Sequence, residues 1–133
     1  MMNLCYNMGA DLWNLLRTGG SEMKLLICVL NDTDKLDELM IKLAEAGVKG
    51  ATIINSTGMG RTLYNHQESA LMNSLRALLD PDRDENKTIF TVVDEAQEKA
   101  FHKVMNEVVG DLARPDSGII FTIPVDSVTG LSK

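Results

Sequence analysis

Lys24–Leu30 has the sequence KLLICVL, a short and almost continuous apolar run. Such a run is typical of a β-strand that is buried on both faces or nearly so. Asn31–Asp34 follows it and supplies candidate helix N-caps, and apolar residues then recur at helical spacing over 36–43. Gly47 stands where a helix would end, and Val48–Ser56 is rich in β-branched residues. The first half of the chain is therefore predicted to be a strand–helix–strand unit.

The second half repeats this order. Lys87–Val93 is predicted to be a strand, Asp94–Val109 a helix, and Ile119–Val125 a final strand. Pro124 cannot donate a ladder hydrogen bond, so it is expected where no donor is needed. The predicted fold class is α+β: a ferredoxin-like β-α-β-β-α-β sandwich with four antiparallel strands and two helices on one face. The strands are apolar on both faces, so we expect self-association to cover the open face.

A long helical insertion is predicted between the second and third strands, over residues 57–86. Asn65 and Glu68 have the spacing of a capping box. Two interpretations remain open for the apolar stripe that follows: packing onto this chain or a neighbouring subunit, or a docking face for a partner protein. The stripe consists of Leu71, Met72, Leu75, Leu78 and Leu79.

The composition of the 133 residues excludes several classes of partner. Thirteen Lys and Arg against nineteen Asp and Glu give a net charge of −6, which argues against nucleic acid and anionic lipid. Cys5 and Cys28 do not suggest a structural disulfide, so a reducing, cytoplasmic compartment is predicted. No apolar stretch is long enough to span a membrane, so direct membrane insertion is not expected.

Residues 1–22 differ from the remainder of the chain, which is predicted to be one domain over 23–133. This leader lacks the basic start and long apolar core of a signal peptide. Two interpretations remain open: a short amphipathic helix over Asp11–Arg17, or a start-site artefact with the true start at Met23.

Ser56–Thr62, STGMGRT, is the most informative stretch for function. Closely spaced glycines let backbone N–H groups converge on an anion, and Arg61 could add charge-assisted hydrogen bonds. The stretch is not a P-loop, because it lacks Gly-Lys-Ser/Thr and does not lead immediately into a predicted helix. A plain turn is the competing interpretation.

No catalytic or metal-binding constellation is predicted. His66 and His102 stand on separate predicted helices, and Cys28 is most simply a small core residue. The sequence contains no Cys-x-x-Cys, no His-Glu-x-x-His and no nucleophile elbow. The chain is therefore not expected to be an enzyme, and no metal is assigned.

Three features together resemble the nitrogen-regulatory P-II family and its wider P-II-like superfamily over Met23–Lys133. They are the first strand, the second strand that ends in Ser56–Arg61, and the final strand Gly118–Val125. The resemblance implies a homotrimer that binds adenine nucleotides in clefts between subunits. It also implies a mobile loop between the second and third strands that docks on transporters, enzymes or regulators.

The resemblance assigns roles to particular residues. Gly58, Gly60 and Arg61 match the phosphate-proximal base of the loop, and Gly118 matches the glycine that closes a second phosphate-binding loop. Thr62 stands where the family has a glutamine that helps to bind magnesium and 2-oxoglutarate. The family's lysine after the loop glycine and its C-terminal arginines are replaced by Ile119, Gly130 and Ser132. Losing these cations disfavours ordinary tight binding of ATP and leaves three alternatives open: a less charged ligand, a different nucleotide, or no ligand.

The function predicted is a regulatory protein that senses a small effector, with an adenine nucleotide as the class the resemblance implies, and regulates a target protein through the 57–86 loop. The alternatives are a cyclic-dinucleotide receptor or a divalent-metal-handling trimer of the same fold. The predicted ligand-binding residues are Gly58, Gly60, Arg61, Thr62 and Gly118. The predicted docking residues are Tyr64, His66, Leu71 and Leu75.

Overall fold

Seven regular elements are present in the computed structural model, which describes residues 22–64, 73–74, 77–78 and 85–131. The strands are β1 (Lys24–Leu30), β2 (Thr52–Ser56), β3 (Asn86–Val93) and β4 (Gly118–Pro124). The helices are α1 (Leu36–Glu45), α2 (Met59–Tyr64) and α3 (Glu95–Val108), and a 3-10 turn at Thr33–Lys35 precedes α1.

The four strands form one antiparallel sheet in the order β2-β3-β1-β4. β1 pairs with β3 and β4, and β2 pairs with β3, so β1 and β2 run parallel on either side of β3. The predicted α+β fold with a four-stranded antiparallel sheet is confirmed. Pro124 ends the edge strand β4, where a missing donor is tolerated, as predicted.

The core lies between one face of the sheet and helices α1 and α3. Leu26, Cys28 and Leu30 share that face because side chains alternate along a strand. The predicted helix faces are confirmed, since Leu39 and Leu43 of α1 are buried against the same cluster. The remaining buried apolar residues of this cluster are Val48, Ile89, Val93, Phe101, Val104, Met105 and Val108.

Burial changes the chemistry of Cys28. Its side chain is fully buried in the core, and this burial raises the pKa of the thiol to about 12. The thiol is therefore protonated at neutral pH and is a poor nucleophile and metal ligand. This agrees with its predicted role as a small core residue.

The sequence predicted the C-terminal end of α1 correctly but not its N-terminal cap. Gly47 has a φ of 101° and its N–H donates to the carbonyl of Ala44, while the N–H of Val48 donates to that of Leu43. This is a Schellman C-cap, which favours glycine. The expected side-chain cap at the start is wrong: neither Asp32 nor Lys35 caps, because the 3-10 turn leads directly into the helix.

The second face of the sheet is open in the single chain. Ile119, Phe121 and Ile123 of β4 are 56%, 45% and 46% exposed, and Ile54 of β2 is 47% exposed on the same face. This face, which we call the open apolar face, also carries the half-buried residues Leu25, Ile27, Val29, Phe90 and Val92.

Parts of the sequence-based interpretation lie outside the described residues. These are residues 1–21, with the alternative start and the short helix, and most of the apolar stripe. Within the insertion, α2 occupies 59–64, and residues 73, 74, 77 and 78 are helical. No helix among the described residues is both long and apolar enough to cross a membrane.

Candidate functional site

The predicted ligand-binding residues converge on one end of the sheet. In the registers of the strands, Ser56 at the end of β2 lies opposite Asn86, and Leu30 at the end of β1 lies opposite Gly118. We call the end of the sheet formed by residues 56–62, Asn86 and 116–118 the loop-base site. The sequence predicted ligand-binding residues in the 56–62 segment and at Gly118, but it did not predict Asn86, Asp116 or the contact between the segments.

Helix α2 begins directly after Gly58. The backbone N–H and the hydroxyl of Thr62 both donate to the carbonyl of Gly58 at 3.1 Å, which closes the first turn. The expectation that this stretch does not lead immediately into a helix is therefore wrong. Gly60 and Arg61 lie within that helix. The hydroxyl of Thr62 is exposed and bonds within its own turn.

An ion pair joins the two segments of the site. Nη2 of Arg61 donates to Oδ2 of Asp116 at 2.6 Å, and the two side chains are only 9% and 7% exposed. The second carboxylate oxygen, Oδ1, accepts a hydrogen bond from the side-chain amide of Asn31 at 3.1 Å. The base of the 57–86 segment is thus tied to the end of β1 and to the turn before β4.

The turn before β4 holds Asp116 in place. Asp116 has a φ of 58°, in the left-handed region that Asp and Asn tolerate better than most residues. The next residue, Ser117, is buried, and its hydroxyl lies 2.9 Å and 2.7 Å from the carbonyl oxygens of Leu112 and Arg114. Its own carbonyl accepts from the N–H of Asn31 at 3.3 Å. The carboxylate is therefore presented by an ordered turn.

Gly118 has a packing role that the sequence did not reveal. Its φ is 151°, and a Cβ added there would lie 2.6 Å from the carbonyl oxygen of Val29 in the neighbouring strand. Glycine is therefore required for β4 to approach β1. This requirement exists whether or not a ligand binds near Gly118.

Asn86 is a further residue of the site that the sequence analysis missed. It is 6% exposed, and its side-chain nitrogen would lie 3.2 Å from a Cβ added at Gly58. Its Oδ1 is buried and makes no hydrogen bond within the described part of the chain. The one signal available in the sequence was that Asn86 is a polar residue at the start of an apolar strand. That signal does not indicate which group the Asn86 side chain contacts.

The donors at the loop-base site do not fit a triphosphate. The guanidinium of Arg61 already holds a carboxylate, and Ile119 stands where the resemblance leads one to expect a lysine. Arg114, nearby in the chain, directs its Nη2 to the carbonyl of Val109. A polyphosphate has to be met by several cationic or N–H donors, so these side chains do not provide a triphosphate cradle.

The remaining predicted residues lie elsewhere or outside the described part of the chain. Tyr64 is the last residue of α2, and nothing is described of its side chain. His66, Leu71 and Leu75 lie outside the described residues, so their predicted docking role stays a prediction. His102 is exposed on α3. Within the described ranges, no three His, Cys, Asp or Glu side chains come together as a metal site would require.

The fold and the loop-base site define a small α+β domain built on a four-stranded antiparallel sheet. Residues 23–133 match the model of the family described as nitrogen regulatory protein P-II, and the chain belongs to that family. The description of this family is that of a regulatory protein. This confirms the resemblance inferred from the sequence.

Solved structures share this fold. GlnK of B. subtilis is 19% identical with a TM-score of 0.54, and the match covers 80% of this chain and 87% of that one. A functionally unknown protein from Pediococcus pentosaceus ATCC 25745 is 15% identical with a TM-score of 0.54, covering 84% and 100%. No curated protein matched.

Proposed function

We propose that this chain is a homotrimeric P-II-type regulator in which a small effector binds at the loop-base site. Occupancy of that site changes how residues 57–86 dock on a target protein. The observation that carries the proposal is the contact between Arg61 and Asp116, because it joins the base of the docking segment to the turn before β4. An effector that alters this contact alters the position from which the segment leaves the sheet.

The energetic requirement for this coupling is simple. A ligand shifts an equilibrium between two states only by the difference in its affinity for them. Breaking a buried ion pair by removing one partner costs about 3–5 kcal/mol. An effector that releases the Arg61–Asp116 pair must therefore bind the released loop base more tightly than the engaged one, by more than the free energy that holds the pair together.

The open apolar face supports the trimeric part of the proposal. Its exposed members lie on the two edge strands, Ile119, Phe121 and Ile123 on β4 and Ile54 on β2, and the half-buried apolar residues of β1 and β3 lie between them. Monomeric proteins rarely expose apolar patches of this kind. Association of three copies through this face would bury it and would place the loop-base sites near the contacts between subunits.

Calorimetry against adenosine, AMP, ADP and ATP is the direct test of effector binding. We expect at least one of these compounds to bind with one site per subunit. We also expect binding to change backbone hydrogen exchange of residues 57–64, because the base of the docking segment is where the effect begins. Failure of all four compounds to bind would contradict an adenine compound as the effector.

A pair of matched variants tests the coupling. Arg61→Ala and Lys49→Ala each remove one positive charge, but Lys49 is exposed and lies in the connection before β2. The exchange response to the effector should be lost in Arg61→Ala and kept in Lys49→Ala. An unchanged response in Arg61→Ala would show that the ion pair does not transmit occupancy.

A further inference from the structure

The Asp116 carboxylate contacts Arg61, the cationic side chain that was expected to bind a ligand. The sequence STGMGRT suggested an anion site in which Arg61 would contact the bound anion. The structure supplies that anion from within the chain, because Oδ2 of Asp116 lies 2.6 Å from Nη2 of Arg61. Both side chains are more than nine-tenths buried, so the contact is a built feature of the site and not a surface ion pair.

The surroundings of Asp116 favour this arrangement over a freely moving side chain. Asn31 donates to the second carboxylate oxygen, which fixes the plane of the carboxylate. The left-handed backbone at φ 58° and the ordered Ser117 set the direction from which the side chain leaves the turn. Asn31 after β1, the turn before β4 and α2 thus hold the carboxylate on the guanidinium.

We propose that Asp116 is a specificity-determining residue of the loop-base site: an internal counter-anion that keeps phosphate groups off Arg61. The inference rests on the proposed function for the location of the effector, and it defines the effector's chemical class. The part of the effector that meets Arg61 and Asp116 is uncharged or carries a hydrogen-bond donor for the carboxylate. A polyphosphate is excluded.

The exclusion has two physical causes. A phosphate that binds the Arg61 guanidinium must displace the Asp116 carboxylate from it. The carboxylate is then buried without its cation, which is strongly unfavourable in free energy. A phosphate that leaves the pair intact places its negative charge against a carboxylate of the same sign. Together these effects should weaken phosphate binding at least about a hundredfold.

Inorganic tripolyphosphate is the probe that isolates this effect, because it carries the phosphate chemistry without a base or sugar. Asp116→Asn keeps the size of the side chain and tolerates the positive φ, but removes the charge. Asp116→Gly is a second variant that fits the same backbone. By calorimetry, both should bind tripolyphosphate at least about a hundredfold more tightly than the unaltered protein.

Asp111→Asn is the matched control. Asp111 lies in the same connection, is exposed, and changes the net charge equally, while its Oδ1 can still accept from the N–H of Ala113. This variant should bind tripolyphosphate as weakly as the unaltered protein. Adding Arg61→Ala to Asp116→Asn should abolish the gain, because the guanidinium is the group that becomes available.

Equal binding of tripolyphosphate by the unaltered protein and a folded Asp116→Asn variant would overturn the inference, whether both bind or neither does. If neither Asp116 variant folds, the binding of tripolyphosphate to the unaltered protein tests the inference. Micromolar binding would overturn it, and no binding at millimolar concentration would uphold it. The proposed function fails separately, by the absence of effector-dependent hydrogen exchange. Tight ATP binding by the unaltered protein would support the proposed function and overturn the inference.

Discussion

At the scale of single residues, Gly118 is the position of the loop-base site where we expect a substitution to be most destabilising. It pairs with Leu30 across the β1–β4 ladder, and the carbonyl oxygen of Val29 occupies the space that a Cβ would need. Gly118→Ala should therefore lower the free energy of unfolding by about 2–3 kcal/mol, through steric overlap and an unfavourable φ. Denaturant unfolding without any ligand measures this.

Gly50→Ala is the control for that substitution. A Cβ at Gly50 meets nothing within 4 Å, and its backbone φ is not in the left-handed region. Its free energy of unfolding should stay within about 0.5 kcal/mol of the unaltered protein. Equal stability of the Gly118 and Gly50 variants would contradict the packing role and leave ligand contact as the reason for Gly118.

Arg61 could be recognised from the sequence as a residue of the site, whereas Asp116 could not. Arg61 was recognised because two glycines precede it within a short polar stretch that follows a strand. Asp116 was not recognised, because the run from Arg114 to Gly118 has the composition of an ordinary turn. The two residues are 55 positions apart. Only the folded sheet, with β4 beside β1, brings that turn to the loop base.

At the scale of elements, the start of α3 is stabilised by a capping box. The Asp94 carboxylate accepts from the N–H of Gln97 at 2.8 Å, and the Gln97 side chain accepts from the N–H of Asp94 at 2.9 Å. The Gln97 side chain also donates to the carbonyl of Gly47 at 3.1 Å. The cap therefore links the start of α3 to the loop after α1.

Asp94→Ala should lower the free energy of unfolding by about 1 kcal/mol, because the N–H of Gln97 loses its acceptor. Thermal or denaturant unfolding measures the change. Glu107→Ala removes an exposed carboxylate from the last turn of the same helix and should change the free energy of unfolding by less than about 0.5 kcal/mol. Equal stability of the two variants would show that the capping box contributes nothing.

The elements with strong apolar patterns were predicted well. β1 has the predicted bounds, β3 and β4 begin one residue earlier than predicted, and α3 lies within the predicted helix. These elements are set by burial, and burial is visible as a pattern of apolar residues. Where that pattern is strong, the local sequence is sufficient to locate the element.

Two elements were predicted less well, for physical reasons that local sequence does not contain. β2 begins only at Thr52, because the N–H of Val48 is used by the α1 cap and the carbonyl of Gly50 accepts from the hydroxyl of Thr91. α2 was missed because Gly58 and Gly60 indicate a turn. Its first turn is closed by Thr62 bonding back to Gly58.

At the scale of the whole molecule, we expect the open apolar face to govern assembly. Phe121 lies on this face in the middle of the edge strand β4, opposite Ile27 in the β1–β4 ladder. Phe121→Glu would place a carboxylate in the contact between subunits, where its desolvation is unfavourable. We expect sedimentation velocity to give a trimer for the unaltered protein and a monomer for this variant.

Ile41→Glu is the control, since Ile41 is 60% exposed on α1, away from the open apolar face. It makes the same apolar-to-acidic change and should leave the trimer intact. A trimer that survives Phe121→Glu would show that another surface holds the copies together. A monomeric unaltered protein would contradict self-association altogether.

The position of β1 in the middle of the sheet also affects how the chain folds during synthesis. Both sheet neighbours of β1, namely β3 and β4, are made later, and Lys24 finally pairs with Val93 and Pro124. A ribosome adds about 5–20 residues per second. During synthesis β1 therefore has no hydrogen-bonded neighbouring strand for a time on the order of seconds. An unpaired apolar strand invites aggregation. The yield of folded protein therefore depends on how residues 24–30 are protected before residue 93 has left the ribosome.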